Sequence, residues 1–279
     1  MPFAHRNDAE IYYEERGRGP PLLLLEGLGY ATWMWRGQSP ALEDRFRLFL
    51  VDNRGVGRSS PLSAPYTIPD FAHDAIAALD AAGIDQAAVL GASMGGMIAQ
   101  SVAALVPRRV TGLVLACTTP GGPYAKSMSP ETLAEFGRSV PGETTAERLR
   151  RVMALALTPS FPLERSGEFD AIIADRLNSL QPPEQWAFQA LSGREFDARD
   201  TDARLTVPAL VATGTEDRVV PWTNSLALYK LIPGASLLLF RGQNHLAILE
   251  RATEFNGRVA RFLGSATGEA FPAGVEEVG

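Results

Sequence analysis

The chain has 279 residues, 46% hydrophobic and 21% charged, which suits one large α/β domain or a core with an insertion. A net charge of −6 leaves no basic footprint and argues against a nucleic-acid partner. The single cysteine, Cys117, excludes an intramolecular disulfide and fits a reducing compartment. The N-terminus lacks the basic-then-apolar pattern of a signal peptide. No apolar run approaches the ~20 residues that span a bilayer. These features predict a soluble, cytoplasmic protein with no membrane partner.

Glu10 to Glu15 opens the chain as a β-rich segment around Ile11, Tyr12 and Tyr13. Leu22 to Leu25 is a short, wholly apolar strand. A strand without alternation is buried on both faces, which points to a parallel sheet covered by helices. The glycine-rich loop Glu26-Gly27-Leu28-Gly29-Tyr30 follows, then Trp33-Met34-Trp35. Arg47 to Val51 is a further strand, and Asp52 to Ser59 is the loop leaving it. Thr67-Ile68-Pro69-Asp70 has the character of a capping box. It starts a helix striped by Phe71, Ala75, Ala78, Leu79 and Ala82 and ended by Gly83.

Ala87 to Leu90 is the next apolar strand. It turns through Gly91-Ala92-Ser93-Met94-Gly95-Gly96 into an Ala-rich helix that stops at Pro107. A strand, a glycine-pinched turn and a helix with one serine at the apex push a hydroxyl out of the backbone. Small residues are needed on either side because strand and helix pass close together there. Val110 to Cys117 is another strand, and its apolar setting makes Cys117 a buried structural thiol.

From Thr119 to Ala203 no strong strand occurs. Pro120-Gly121-Gly122-Pro123 opens this region. Helical pieces such as Ala146 to Leu157 and Asp170 to Leu180 then predict a helical insertion over the sheet. Alternation returns with a strand over Val207 to Thr213, the loop Gly214-Thr215-Glu216-Asp217 and a helix near Thr223 to Leu231. Ser236 to Phe240 is the last strand expected. Gly242-Gln243-Asn244-His245 and a helix striped by Ile248, Ala252, Phe255, Val259 and Phe262 complete the core. The Gly-, Ala- and Glu-rich tail from Ser265 is expected to fray. The domain reading is a core over 1–119 and 204–264, a helical cap over 120–203 and a flexible tail over 265–279.

Alternating strands and helices mean right-handed crossovers, with ligands bound beyond the carboxyl ends of the strands. The loops leaving those ends carry Glu26 to Tyr30, Ser93, Asp217 and His245. A serine hydroxyl needs a base, and imidazole suits that near neutral pH. Of the three histidines, His5 sits at a loose terminus and His73 faces away from its helix's apolar stripe. His245 is therefore the candidate base. Asp217 is the candidate to orient it, with Glu216 as runner-up; a plain helix-capping role for Asp217 is the alternative. The candidate oxyanion donors are the backbone N–H groups of Met94, just after the serine, and of Leu28 in the first glycine loop.

These motifs together resemble the α/β-hydrolase fold over Ile11 to Leu263, and the order Ser, Asp, His matches that family. The similarity is to the carboxylesterase and 3-oxoadipate enol-lactonase branch. It implies a mostly parallel eight-stranded sheet flanked by helices, a helical cap, and neither metal nor organic cofactor. The family usually has His-Gly where this chain has Glu26-Gly27. An ionised carboxylate ~7 Å from the oxyanion would oppose it by about 2.4 kcal/mol at an effective dielectric of ~20, or roughly fiftyfold in rate. Glu26 is therefore expected to point away from the oxyanion and to be neutralised by hydrogen bonds, a basic partner or a proton.

Trp33, Trp186, Phe188, Trp222 and Leu246, with Met34, Trp35 and Met94, are candidates for an apolar substrate pocket. No arginine or lysine stands out in the sequence as the holder of a substrate carboxylate, and Arg54 belongs to a structural turn. The expected activity is therefore hydrolysis of neutral carboxylic esters or lactones through an acyl-enzyme on Ser93. Serine at the elbow argues against dehalogenase and epoxide-hydrolase chemistry. Carbon–carbon bond hydrolysis and cofactor-free perhydrolysis use the same three residues and stay open. So does a hydrolase-like ligand receptor with little turnover. The expected partner is a small-molecule ester or lactone, bound by a monomer or homodimer.

Overall fold

The computed structural model describes residues 2–123, 125–264 and 274–279. Strands with almost no polar face lie at its centre. β1 (Phe3–Arg6) and β2 (Ala9–Arg16) form an antiparallel hairpin. The strands β3 (Pro21–Leu25), β4 (Arg47–Val51), β5 (Ala87–Ala92), β6 (Val110–Ala116), β7 (Ala209–Gly214), β8 (Ser236–Phe240) and β9 (Val275–Val278) run parallel to one another. The order across the sheet is β1-β2-β4-β3-β5-β6-β7-β8-β9, with β2 antiparallel to β4.

The helices, in chain order, are α1 (Ser39–Leu42), α2 (Ile68–Ala81), α3 (Met94–Leu105), α4 (Pro130–Gly137), α5 (Thr145–Ala154), α6 (Phe161–Glu164), α7 (Ser166–Asn178), α8 (Pro183–Arg194), α9 (Arg199–Asp202), α10 (Thr223–Leu231), α11 (Ala247–Glu250) and α12 (Ala252–Gly264). Strand alternation divides the core in two. Leu23, Leu25, Phe49, Val51 and Val89 meet α2, α3 and α10 on one face. Leu22, Leu24, Leu48, Leu50 and Leu90 meet α1 and α12 on the other.

Local signals act where the sequence places them. Thr67 accepts from Asp70 N–H and Asp70 returns the bond to Thr67 N–H, which closes the capping box of α2. Gly83 follows that helix at φ +69°. Between β6 and β7 the chain folds into α4 to α9. The two ends of this stretch are stitched together: Gly122 N–H donates to Phe196 C=O, and Ala198 N–H to Pro120 C=O, each at 2.9 Å.

Several expectations are corrected. The sheet has nine strands among the described residues rather than eight, because short edge strands at both ends of the chain join it. Of the tail expected to fray, residues 265–273 lie outside the described residues. Val275–Val278 instead pairs parallel with β8. Its acidic residues are held by arginines, Glu276 by Arg258 and Glu277 by Arg241. α7 begins at Ser166 rather than Asp170. The last helical stretch is broken at Arg251 (φ −116°, ψ 41°) into α11 and α12.

Candidate active site

Ser93 stands between β5 and α3 with φ 55° and ψ −119°, a conformation that costs a non-glycine residue about 1–3 kcal/mol. The surroundings enforce it. Ser93 N–H donates to Ala116 C=O at 2.9 Å. Its C=O accepts from Gly96 N–H at 2.9 Å and from the Thr118 hydroxyl at 2.7 Å. A side chain on Gly91 would overlap the Gly95 carbonyl, and one on Gly95 would overlap the Leu25 carbonyl. The helix therefore starts hard against the ends of β3 and β5, which presents the serine at the sheet's carboxyl edge.

Asp217 and His245 leave the same edge after β7 and β8. Asp217 Oδ2 lies 2.9 Å from His245 Nδ1, and both side chains are buried. Asp217 Oδ1 accepts from the N–H groups of Val219 and Val220 at 2.9 and 2.8 Å, which fixes the carboxylate's orientation. Glu216, the alternative, is exposed. The two loops touch through their backbones: Glu216 N–H donates to Gln243 C=O at 2.9 Å, and a Cβ on Gly214 would overlap that carbonyl. Cys117 is buried at the end of β6, beside both Ser93 and Asp217. Burial, then Asp217, pushes its thiol well above the ordinary range, which leaves it un-ionised and inert as a nucleophile.

The first glycine loop packs on the serine turn: a Cβ on Gly27 would sit 3.3 Å from Ser93 Cβ. Tyr30 N–H donates to Gly27 C=O at 3.1 Å and Gly29 N–H to Gln189 Oε1 at 3.0 Å. The Leu28 N–H takes part in neither bond. Met94 N–H likewise precedes the N–H groups of Gly96 and Met97 that close on Ser93 C=O.

Glu26 is fully buried. Its Oε1 accepts from Asn53 N–H at 2.9 Å, and Oε2 has no hydrogen-bond partner. Burial, reinforced by Asp52, holds its pKa well above the usual carboxylate range. Burial thus favours the uncharged acid, and the side chain is turned to the loop after β4.

The proposed pocket residues fall into separate groups. Trp33, whose indole N–H donates to Ser179 at 2.7 Å, and Leu246 join the apolar cluster on one sheet face. Phe188 and Trp222 join the other, with Leu28 and Met97. Trp186 is 46% exposed and borders Gly29. Three further residues come to the site from positions the sequence did not single out. Asn244 is a four-bond hub: its Oδ1 accepts from Arg218 and His245 N–H, and its Nδ2 donates to Leu155 and Leu157 C=O. Its place beside His245 was the available signal. Arg176 and Gln189 reach Gly29 from the helical insertion, and no local motif marks them. Among the described residues, no three His, Cys, Asp or Glu side chains are grouped so as to hold a metal ion.

The family model described as alpha/beta hydrolase fold matches residues 20–252. The chain is 28% identical to the pimeloyl-[acyl-carrier protein] methyl ester esterase of Aeromonas hydrophila, over 91% of this chain and 99% of that protein. It is also 28% identical to a 2-hydroxy-6-oxononadienedioate/2-hydroxy-6-oxononatrienedioate hydrolase of Dechloromonas aromatica, covering 92% and 91% of the two chains. Among solved structures, the enol-lactonase from Burkholderia xenovorans LB400 superposes with a TM-score of 0.82 at 26% identity, covering 94% of this chain and all of that one.

Proposed function

Because the chain belongs to the α/β-hydrolase fold family, we propose that it is a serine hydrolase of carboxylic esters or lactones with small to medium apolar groups. The observation that carries this reading is the buried 2.9 Å pairing of Asp217 with His245 Nδ1, on the same sheet edge as the elbow serine. With Nδ1 engaged, Nε2 is the nitrogen free to act on Ser93. His245 takes the Ser93 proton as the hydroxyl oxygen bonds to the substrate carbonyl carbon. The N–H groups of Leu28 and Met94 receive the developing oxyanion. The imidazolium returns its proton to the leaving alcohol. Water, deprotonated by His245, then attacks the acyl-Ser93 carbonyl carbon, and the imidazolium returns that proton to the departing Ser93 oxygen as the acid is freed.

The preference for neutral substrates has support in how nearby cations are used. Arg54 is buried against Asp74, with bonds of 3.0 and 2.8 Å. Arg176 is engaged by Gly29 C=O and lies 4.5 Å over the Tyr30 ring. The esterase and enol-lactonase likenesses favour this bond class. Carbon–carbon hydrolysis is the second reading, favoured by the likeness to the dienedioate hydrolase, and it uses the same three side chains.

Pre-steady-state turnover of an activated aryl ester tests the proposal. It predicts a burst of phenol stoichiometric with enzyme, followed by slower deacylation. A Ser93→Ala enzyme that keeps the same turnover, or a vinylogous diketone cleaved while no ester in a graded series is touched, contradicts it.

A further inference from the structure

The helical insertion grips the loop that carries the Leu28 N–H. We propose that Gln189 is a positioning residue for that oxyanion donor, acting through the Gly29 peptide. The inference rests on the serine-hydrolase reading given above.

Gly27 to Tyr30 is a tight turn closed by Tyr30 N–H on Gly27 C=O. A trans peptide sets the Leu28 N–H opposite that carbonyl, so the direction of the donor follows the turn. Gly29 takes φ +69°, which suits the third position of a type II turn. A turn closed by a single backbone hydrogen bond is soft by itself, and a shift of the whole turn carries the Gly27–Leu28 peptide, and with it the donor. Here it is fastened at both of Gly29's polar groups. The N–H donates to Gln189 Oε1 at 3.0 Å, and the C=O accepts from the Arg176 guanidinium.

Gln189 is itself held. It is fully buried, and its Nε2 donates to Arg54 C=O at 2.8 Å. Arg54 is anchored by its bidentate pair with Asp74 in α2. Gly29 is thereby tied through one carboxamide to the rigid core. Neither half of that carboxamide can be lost without leaving a buried backbone group unpaired. Gln185, one turn earlier in α8, makes the same kind of two-bond clamp on Leu62, 2.6 Å from its N–H and 3.0 Å from its C=O. That clamp seats the insertion but does not touch the oxyanion turn, so the two glutamines separate seating from positioning.

Losing one oxyanion donor lowers kcat by about 10²–10³. Misdirecting it through Gln189→Leu is expected to lower kcat about ten- to hundredfold, with KM changed less than about threefold. An aryl boronic acid, which forms a tetrahedral anion on Ser93, should lose affinity by the same factor as kcat. Gln185→Leu should keep kcat within about threefold although it removes as many hydrogen bonds. In Gln189→Glu, a protonated carboxyl can accept from Gly29 N–H and donate to Arg54 C=O, whereas a carboxylate cannot donate. Its activity relative to wild type should therefore rise as pH falls, and this carries the test alone should Gln189→Leu not fold.

Equal kcat losses in Gln185→Leu and Gln189→Leu, an unchanged boronate affinity, or a pH-independent Gln189→Glu ratio would overturn the proposal. A Ser93→Ala control tells the two levels apart. If it is inactive while Gln189→Leu is fully active, only the role of Gln189 falls. If it is active, the hydrolase reading falls and this inference with it.

Discussion

Glu26 begins the loop assigned to the oxyanion, and its burial favours the uncharged acid there. One oxygen accepts from Asn53, the other has no partner, and burial holds the pKa well above the ordinary carboxylate range. Glu26→Gln should therefore leave kcat at pH 7 within about threefold, since a neutral acid is replaced by its neutral amide. A gain approaching the roughly fiftyfold expected from removing a nearby charge would show that the carboxyl is ionised. Asp202, in α9, is another buried acid: both its oxygens lack partners, and burial, then Asp197, pushes its pKa from 3.8 up to about 7. A carboxyl with a raised folded-state pKa holds its proton more tightly when folded. Its penalty is absent below about pH 4, grows as pH rises to about 7 and is constant above. The interval is worth about 4 kcal/mol. Asp202→Asn should thus raise the melting temperature clearly at pH 8 and hardly at pH 4; an equal gain at both would refute the assignment. Ser93, Asp217 and His245 were legible because each sits in a short polar loop directly after an apolar strand. Asn244 and Gln189 were not, since their roles lie in main-chain partners that leave no pattern in side-chain chemistry.

The decisive element is the β5–Ser93–α3 unit. Its strain is tolerable because α3 approaches β3 too closely for any side chain at Gly95. Gly95→Ala would press a methyl group onto the Leu25 and Glu26 carbonyls, neither of which is the end of a flexible side chain. We expect destabilisation of about 3 kcal/mol or more, read from chemical denaturation. A loss below about 1 kcal/mol would mean that the turn can relax. At this scale the sequence was most informative: wholly apolar runs marked the central strands, and Thr67 with Asp70 marked the start of α2. The misses are edge strands. Val275–Val278 places two adjacent glutamates between its valines and is exposed or half-buried, so it lacks the apolar run that gave away the others.

At the scale of the whole molecule, the sheet gathers loops from widely separated points in the chain at one edge. The insertion was visible only as an interruption in the strand–helix rhythm. Its grip on the core depends on contacts such as Gln189 to Gly29 and Gln185 to Leu62, and residues so far apart in the chain are joined only by the completed fold. We propose that this convergence makes one serine nucleophilic. Intact-protein mass spectrometry after treatment with a fluorophosphonate reads that nucleophilicity. A single adduct on Ser93 is expected, formed far more slowly in His245→Ala and absent in Ser93→Ala. No adduct on the folded wild-type protein, or one that survives Ser93→Ala, would contradict it.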